Sequence, residues 1–317
     1  MPTPLNMRSV RIAGLAVAVL AAAIGIQCSG GSRGTGSPTG PTIPGPSTPS
    51  PGPPPTGGPE TFVGAGDIAI CGGNAEATAR QLDGIGGTVF TLGDNAYSSG
   101  TRADFQNCYE PTWGRHKSRT RPAPGNHDYE NPGASAYFEY FGANAGPIGL
   151  GYYSFDLGGW HLISLNSYLN PEQHKEQLAW LKADLARNKT YCTLAYWHHP
   201  MFSSGGHGSD SRMEAAWKIL AAAGADLVLA AHDHDYERFA PKDANGNRDD
   251  ARGMRQFVVG TGGAKLSLFL LQRADSEAKD NSTHGVLKLT LKQRGYEWEF
   301  LPVTEGGYTD HGAALCH

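Results

Sequence analysis

Seven side chains able to hold hard or borderline metal ions are spread along the chain in five short clusters. These are Gly66-Asp67, Gly93-Asp94-Asn95-Ala96-Tyr97, Gly125-Asn126-His127-Asp128, His198-His199-Pro200 and His232-Asp233-His234. One ligand each from the first, third and fourth, and two each from the second and last, give three anionic or ionisable oxygens, one amide oxygen and three imidazoles. That donor set suits two ions side by side, and two adjacent ions suit phosphoryl chemistry.

The clusters differ in how much they say. Gly66-Asp67 and Gly93-Asp94-Asn95 taken alone are ordinary turn chemistry. Tyr97 says more, because a phenolate ligand calls for a strongly Lewis-acidic ion such as ferric iron. Gly125-Asn126-His127-Asp128 brings an amide, an imidazole and a carboxylate onto one tight turn. His232 and His234 are spaced i, i+2, which on an extended segment places both rings on one side, each facing its own ion. At His198-His199-Pro200, the proline biases His199 towards extended geometry. Either histidine qualifies as the ligand on these grounds.

Elements able to position such clusters are visible. Strand-length apolar runs occur at 62–63, 88–92, 152–157, 160–165, 193–197, 227–230 and 256–259. Segments 286–291 and 296–303 alternate apolar and polar residues around Gln293-Arg294-Gly295, the pattern of a hairpin. Helices are expected at 75–82, 134–141, 171–188 and 212–223. The third is the clearest: Asn170 serves as N-cap, Pro171 opens the first turn, Gln173 takes the capping-box position, and Leu178, Leu181 and Leu185 share a face. Strands alternating with helices and then antiparallel strands predict an α/β (α+β) domain with a mixed sheet system. Asp67, Asp94, Asn126, His198 and His232 fall at or just after strand ends, the edge where open sheets collect ligands.

The 317 residues divide by composition. Arg8 and Arg11 followed by the uncharged run 12–26 read as an export signal, and Cys28 at its end is the expected lipidation site. Residues 29–60, almost wholly Gly, Ser, Thr and Pro, predict a disordered, partly polyproline tether. The segment 61–317 is long enough for a single core. Its four cysteines, Cys71, Cys108, Cys192 and Cys316, point to two disulfides in an exported chain, at the cell surface, in the periplasm or outside the cell. Three pairings are open, of which Cys71–Cys108 with Cys192–Cys316 is the one expected. A formal charge of −4 with no basic run argues against nucleic acid as a partner. The only membrane association expected is through the lipid anchor.

The ordered set Asp67, Asp94 with Tyr97, Asn126-His127-Asp128, His198-x-Pro200 and His232-x-His234 resembles the calcineurin-like metallophosphoesterases. The spacing of Tyr97 and the segment Asp235-Tyr236-Glu237-Arg238 resemble their purple acid phosphatase branch. Ala69 and Ala231 depart from the pattern, standing where glycine is common. The resemblance implies a four-layer αββα sandwich. It assigns Asp67, Tyr97 and His234 to Fe(III), Asn126, His198 and His232 to a divalent iron, zinc or manganese, and Asp94 to the bridge between them. It implies hydrolysis of phosphate monoesters by a metal-activated hydroxide. A phosphodiesterase or nucleotidase on the same centre is the alternative, and a non-catalytic surface binding protein is the reading of another class. His127, oriented by Asp128, is the first candidate to protonate the leaving alkoxide, and His207 in the glycine-rich stretch 203–209 is the second. His199 and Arg238 are candidate phosphate contacts.

Overall fold

The computed structural model describes residues 58–317. The expectations for the export signal, for Cys28 and for the tether up to residue 57 lie outside the described residues. The strands, in chain order, are β1 (Glu60–Ala65), β2 (Thr88–Leu92), β3 (Thr120–Ala123), β4 (Tyr153–Leu157), β5 (Trp160–Ser164), β6 (Cys192–Tyr196) and β7 (Leu227–Ala230). They continue with β8 (Tyr236–Phe239), β9 (Arg255–Val259), β10 (Ser276–Asp280), β11 (Gly285–Lys292), β12 (Gly295–Pro302) and β13 (His311–Leu315). Helices α1 (Ala75–Asp83), α2 (Arg102–Asp104), α3 (Asn126–Glu130), α4 (Ser135–Phe141), α5 (Pro171–Arg187) and α6 (Glu214–Ala222) fall between them.

These strands build two mixed sheets, ordered β13-β12-β11-β1-β2-β3 and β10-β8-β9-β7-β6-β5-β4. Alternation along each strand sends one set of side chains between the sheets. Phe62, Phe90 and Leu289 of the first sheet share a buried cluster with Trp160, Leu194, Tyr196 and Phe257 of the second. The Phe62 and Tyr196 rings stand 5.7 Å apart across it. On the far face of the second sheet, Ile163, Ala195 and Val228 pack with Leu181 of α5 and with Trp217 and Leu220 of α6. Ala79 and Leu82 of α1 join the first sheet's side of the core. Burial of each large side chain contributes on the order of 2–3 kcal/mol. The result is the expected sandwich, helix–sheet–sheet–helix.

Local signals act as expected in several places. The Asn170 carboxamide oxygen accepts from the Glu172 and Gln173 amides at 3.1 and 3.0 Å, capping α5. β11 and β12 form the hairpin, with Lys292 opposite Gly295. Both disulfides form with the expected pairing, Cys71–Cys108 and Cys192–Cys316. Elsewhere the structure differs. Residues 126–130 form the short helix α3 instead of a tight turn. The 212–223 segment begins as a 3-10 turn, Ser211–Met213, before α6. Strands β3, β8, β10 and β13 were not expected.

β1, β2 and β3 run parallel, as do β5, β6, β7 and β9, so the carboxyl ends of each set point the same way. The two sets meet there: the Gly66 amide, just past β1, donates to the Val259 carbonyl at the end of β9 at 2.8 Å.

Candidate metal centre

Asp67, Asp94, His198 and His232 sit on the loops that leave β1, β2, β6 and β7 at this pole, and Asn126 opens α3 just after β3. The first two loops run together: the Asp67, Ile68 and Ala69 amides donate to the Gly93, Asp94 and Asn95 carbonyls at 3.0–3.1 Å. The Tyr97 amide then donates to Ala69 at 2.9 Å. Three of the clustered side chains hang from left-handed backbone, with φ of 57° at Asp67, 49° at Asp94 and 71° at His232. Non-glycine residues rarely hold this conformation, and where a fold enforces it the strain marks a functional position. Gly125 must be glycine here, since a Cβ on it would lie 2.2 Å from the Asp94 Oδ1.

All seven predicted donors converge. The Tyr97 hydroxyl lies 2.8 Å from Asp67 Oδ1, 3.1 Å from Asp94 Oδ2 and 3.1 Å from His234 Nε2. The His198 Nε2 lies 3.1 Å from Asn126 Oδ1, 3.2 Å from His232 Nδ1 and 3.3 Å from Asp94 Oδ2. There are therefore two triads, Asp67–Tyr97–His234 and Asn126–His198–His232, and the same Asp94 oxygen touches both. Donors bonded to one ion at roughly 2.1 Å and at right angles stand about 3 Å apart, so the spacing within each triad fits a shared cation. The ring tautomers agree. His198 Nδ1 donates to the Leu92 carbonyl at 2.7 Å and His234 Nδ1 to the Lys265 carbonyl at 2.8 Å. Each bond aims Nε2 inward, as the outer partner of a ligating histidine does. The geometry also separates the adjacent pair: His198 faces the triad, while His199 Nδ1 pairs with the Ser167 hydroxyl at 2.8 Å.

His232-Asp233-His234 is not an extended segment. The left-handed turn at His232 sends its ring towards His198, while the His234 ring lies 6.0 Å from that of Tyr97. The two imidazoles still serve different triads, through a turn and not through strand alternation.

The electrostatics call for cations. Burial disfavours charge on Asp67, but the adjacent His234 imidazole outweighs it and holds the carboxyl below the usual range. Burial likewise opposes charge on Asp94, and His198 overcomes it. In return, although burial acts against both imidazolium forms, Asp94 pushes His198 up to about 9 and Asp67 pushes His234 up to about 9. Burial, then the charges of Asp67 and Asp94, drive the Tyr97 phenol well above its normal value. Burial and the neighbouring His198 depress His232 to about 3. Two buried carboxylates thus draw positive charge, and a phenol beside them needs a strong cation to lose its proton.

The remaining predicted residues divide. The His127 ring lies 4.6 Å from that of Tyr97, tilted 50° to it, with Nε2 3.9 Å from Asp94 Oδ2. Asp128 does not orient it. Neighbouring residues on a helix point in different directions, and the buried Asp128 carboxylate accepts instead from the Gly125 amide at 2.8 Å and from the Asn95 carboxamide at 2.9 Å. Burial and then Asp94 raise Asp128 to about 7. The His127 ring is fixed by the Ser98 carbonyl, 2.6 Å from Nδ1, and by Glu130, 3.2 Å from it. The His207 ring lies 4.3 Å from that of His232, at the edge of the second triad. Arg238 goes elsewhere. It shares the strand face of Tyr236, where its guanidinium binds Asp310 at 2.7 Å and lies over Trp298, so it is committed to the inner packing.

One residue had no role in the sequence reading. Asp233 is fully buried and holds the glycine-rich loop 203–209, accepting from the His207 amide at 2.7 Å, the Gly208 amide at 3.1 Å and the Ser203 hydroxyl. Its only sequence signal was its position between two candidate ligands.

A two-sheet sandwich gathering this donor set at its strand ends defines a phosphoesterase scaffold. The family model for calcineurin-like phosphoesterases matches residues 60–236, and the chain belongs to that family. It is 31% identical over 268 residues to purple acid phosphatase 21 of Arabidopsis thaliana, covering 74% of this chain and 58% of that protein. It is 28% identical over 251 residues to purple acid phosphatase 15 of the same plant, covering 68% and 47%. These relatives place it on the purple acid phosphatase side of the family, although the chain spans only about half their length. The fold is that of the yellow lupin purple acid phosphatase PPD1, with TM-score 0.68 at 20% identity, covering 83% of this chain and 55% of that one. It is also that of GAP50, the anchor in the inner membrane complex of Plasmodium, with TM-score 0.64 at 15% identity, covering 82% and 89%.

Proposed function

We propose that this chain hydrolyses phosphate monoesters at a two-metal centre of the purple acid phosphatase type. The observation that carries the proposal is the pair of complete triads joined through a single Asp94 oxygen. In this reading Asp67, Tyr97 and His234 would hold a ferric ion, Asn126, His198 and His232 would hold divalent iron, zinc or manganese, and Asp94 would serve both. A metal pair held there would supply an activated water and neutralise charge growing on the phosphoryl group. The unequal donor charge of the two triads supports a trivalent ion in the first. A purely binding role has no use for a full donor set.

The chain's own residues supply positioning and proton transfer. The Ser98 carbonyl occupies His127 Nδ1, leaving Nε2 as the atom that passes a proton to the leaving alkoxide. His207, held on its loop by Asp233, stands across the second triad as the other acid candidate. His199, locked by Ser167 against His232, forms the wall beside it. The two disulfides fit export to an oxidising compartment, with Cys28 proposed as the anchor point. Turnover of phenyl phosphate tests the proposal: wild type should release phosphate and Asp94→Asn should not, and an equally active Asp94→Asn would overturn it.

A further inference from the structure

Between the site and β10 the chain makes an unusual exposure of apolar side chains. Residues 266–271, Leu-Ser-Leu-Phe-Leu-Leu, lie outside any helix or strand. Leu268 is 72% exposed, Leu270 69% and Leu271 42%. Large apolar side chains clustered in water mark contact surfaces.

Backbone bonds at both ends tie this lip to the candidate centre. On one side the Lys265 carbonyl accepts from His234 Nδ1 at 2.8 Å, and the Ser267 amide donates to the His234 carbonyl at 2.9 Å. On the other, the Leu271 amide donates to the Ser204 carbonyl at 3.0 Å, and the Arg273 guanidinium to the Ser203 carbonyl at 3.0 Å. The lip therefore spans from a ligand of the first triad to the loop that carries His207. Two of the leucines pack against that loop: Leu270 Cδ1 reaches Gly206, and Leu271 comes so close to Gly208 that a Cβ there would lie 3.1 Å from its Cδ1. The exposed leucines therefore border the loop that carries His207, whose ring stands 4.3 Å from that of His232.

We infer that the 266–271 lip binds the leaving group of the substrate, and that the chain prefers phosphate monoesters of apolar alcohols. The occupant is set by continuity: the group attached to a phosphate held between His234 and His207 is the one that meets Leu268, Leu270 and Leu271. The inference rests on the phosphomonoesterase reading and adds the substrate class to it.

A chain-length series tests it. For the full chain, kcat/KM should rise about tenfold from ethyl to hexyl phosphate as methylenes leave water. In a Leu268→Ser, Leu270→Ser, Leu271→Ser variant that slope should flatten to within about twofold. Inhibition constants for ethyl- to hexylphosphonate should follow the same two slopes, giving a binding readout independent of turnover. Equal kcat/KM for all chain lengths in the wild type, or an unchanged slope in the variant, overturns the lip while leaving the phosphatase intact. Absence of turnover of every ester, phenyl phosphate included, overturns the underlying function instead. Flat slopes with vesicle binding or dimerisation lost in the variant assign the lip to a membrane or to a second copy, and likewise overturn the inference.

Discussion

Asp67, Tyr97 and His234 offer a carboxylate, a phenol and an imidazole, whereas Asn126, His198 and His232 offer an amide and two imidazoles. With every imidazole neutral, as a metal ligand must be, the first triad carries negative charge of its own, whereas the second is neutral apart from the shared Asp94. Their supports differ as well. The loops bearing Asp67 and Tyr97 are laced to each other by backbone bonds and pinned by Cys71–Cys108. The second triad is assembled from loops after β3, β6 and β7 and bordered by the loop that Asp233 holds. On the proposed reading the contrast would let one fold keep two ions of unequal charge apart: a braced anionic half for the higher charge, and a neutral half beside the loop that carries His207.

The largest effect should come from the group common to both halves. Asp94→Asn should lower phenyl phosphate turnover by about 10³-fold, measured by phosphate release. Bracing should be visible as stability. Replacing Cys71 and Cys108 with serine opens a bridge across 37 residues, and denaturant titration should show a loss of about 4 kcal/mol. If the bracing serves the anionic half, the ferric ion should leave this variant before the divalent one, and equal loss of both would break the comparison. On the neutral side, Asp233→Ala frees the 203–209 loop and should lower kcat by about tenfold. Asp233→Asn, which still accepts an amide hydrogen bond, should recover part of that. A fall equal in both variants would make Asp233 a packing residue only.

The convergence of the seven side chains was legible because the family pattern is local: each belongs to a cluster of two to five residues at a strand end. What orients them was not, because those partners come from distant loops or from helix geometry. Asp128 turns towards Asn95 and away from His127, a consequence of α3 that a reading of 125–128 as a tight turn misses. Arg238 stands one motif along from His234 yet faces Asp310, more than 70 residues away in sequence. The left-handed backbone at His232 leaves no mark in a non-glycine residue. Among the strands, the unread ones were mostly edges. β3, with Pro122 inside it, borders the first sheet, as does β13, and the polar β10 (Ser-Glu-Ala-Lys-Asp) borders the second. Edges carry proline and charge, which blunt aggregation and also erase the apolar alternation. β8, Tyr-Glu-Arg-Phe, escaped for another reason: two charged residues at its centre break the apolar run, although Glu237 is buried.

The central claim is that two unequal ions share Asp94, and metal analysis together with the visible absorption spectrum tests it most directly. Wild type should hold two ions per chain, one of them iron, and show a phenolate-to-iron band. Tyr97→Phe should lose the band, whereas His232→Ala should keep it and lose the divalent equivalent. A single ion per chain, or a band that survives Tyr97→Phe, would contradict the account.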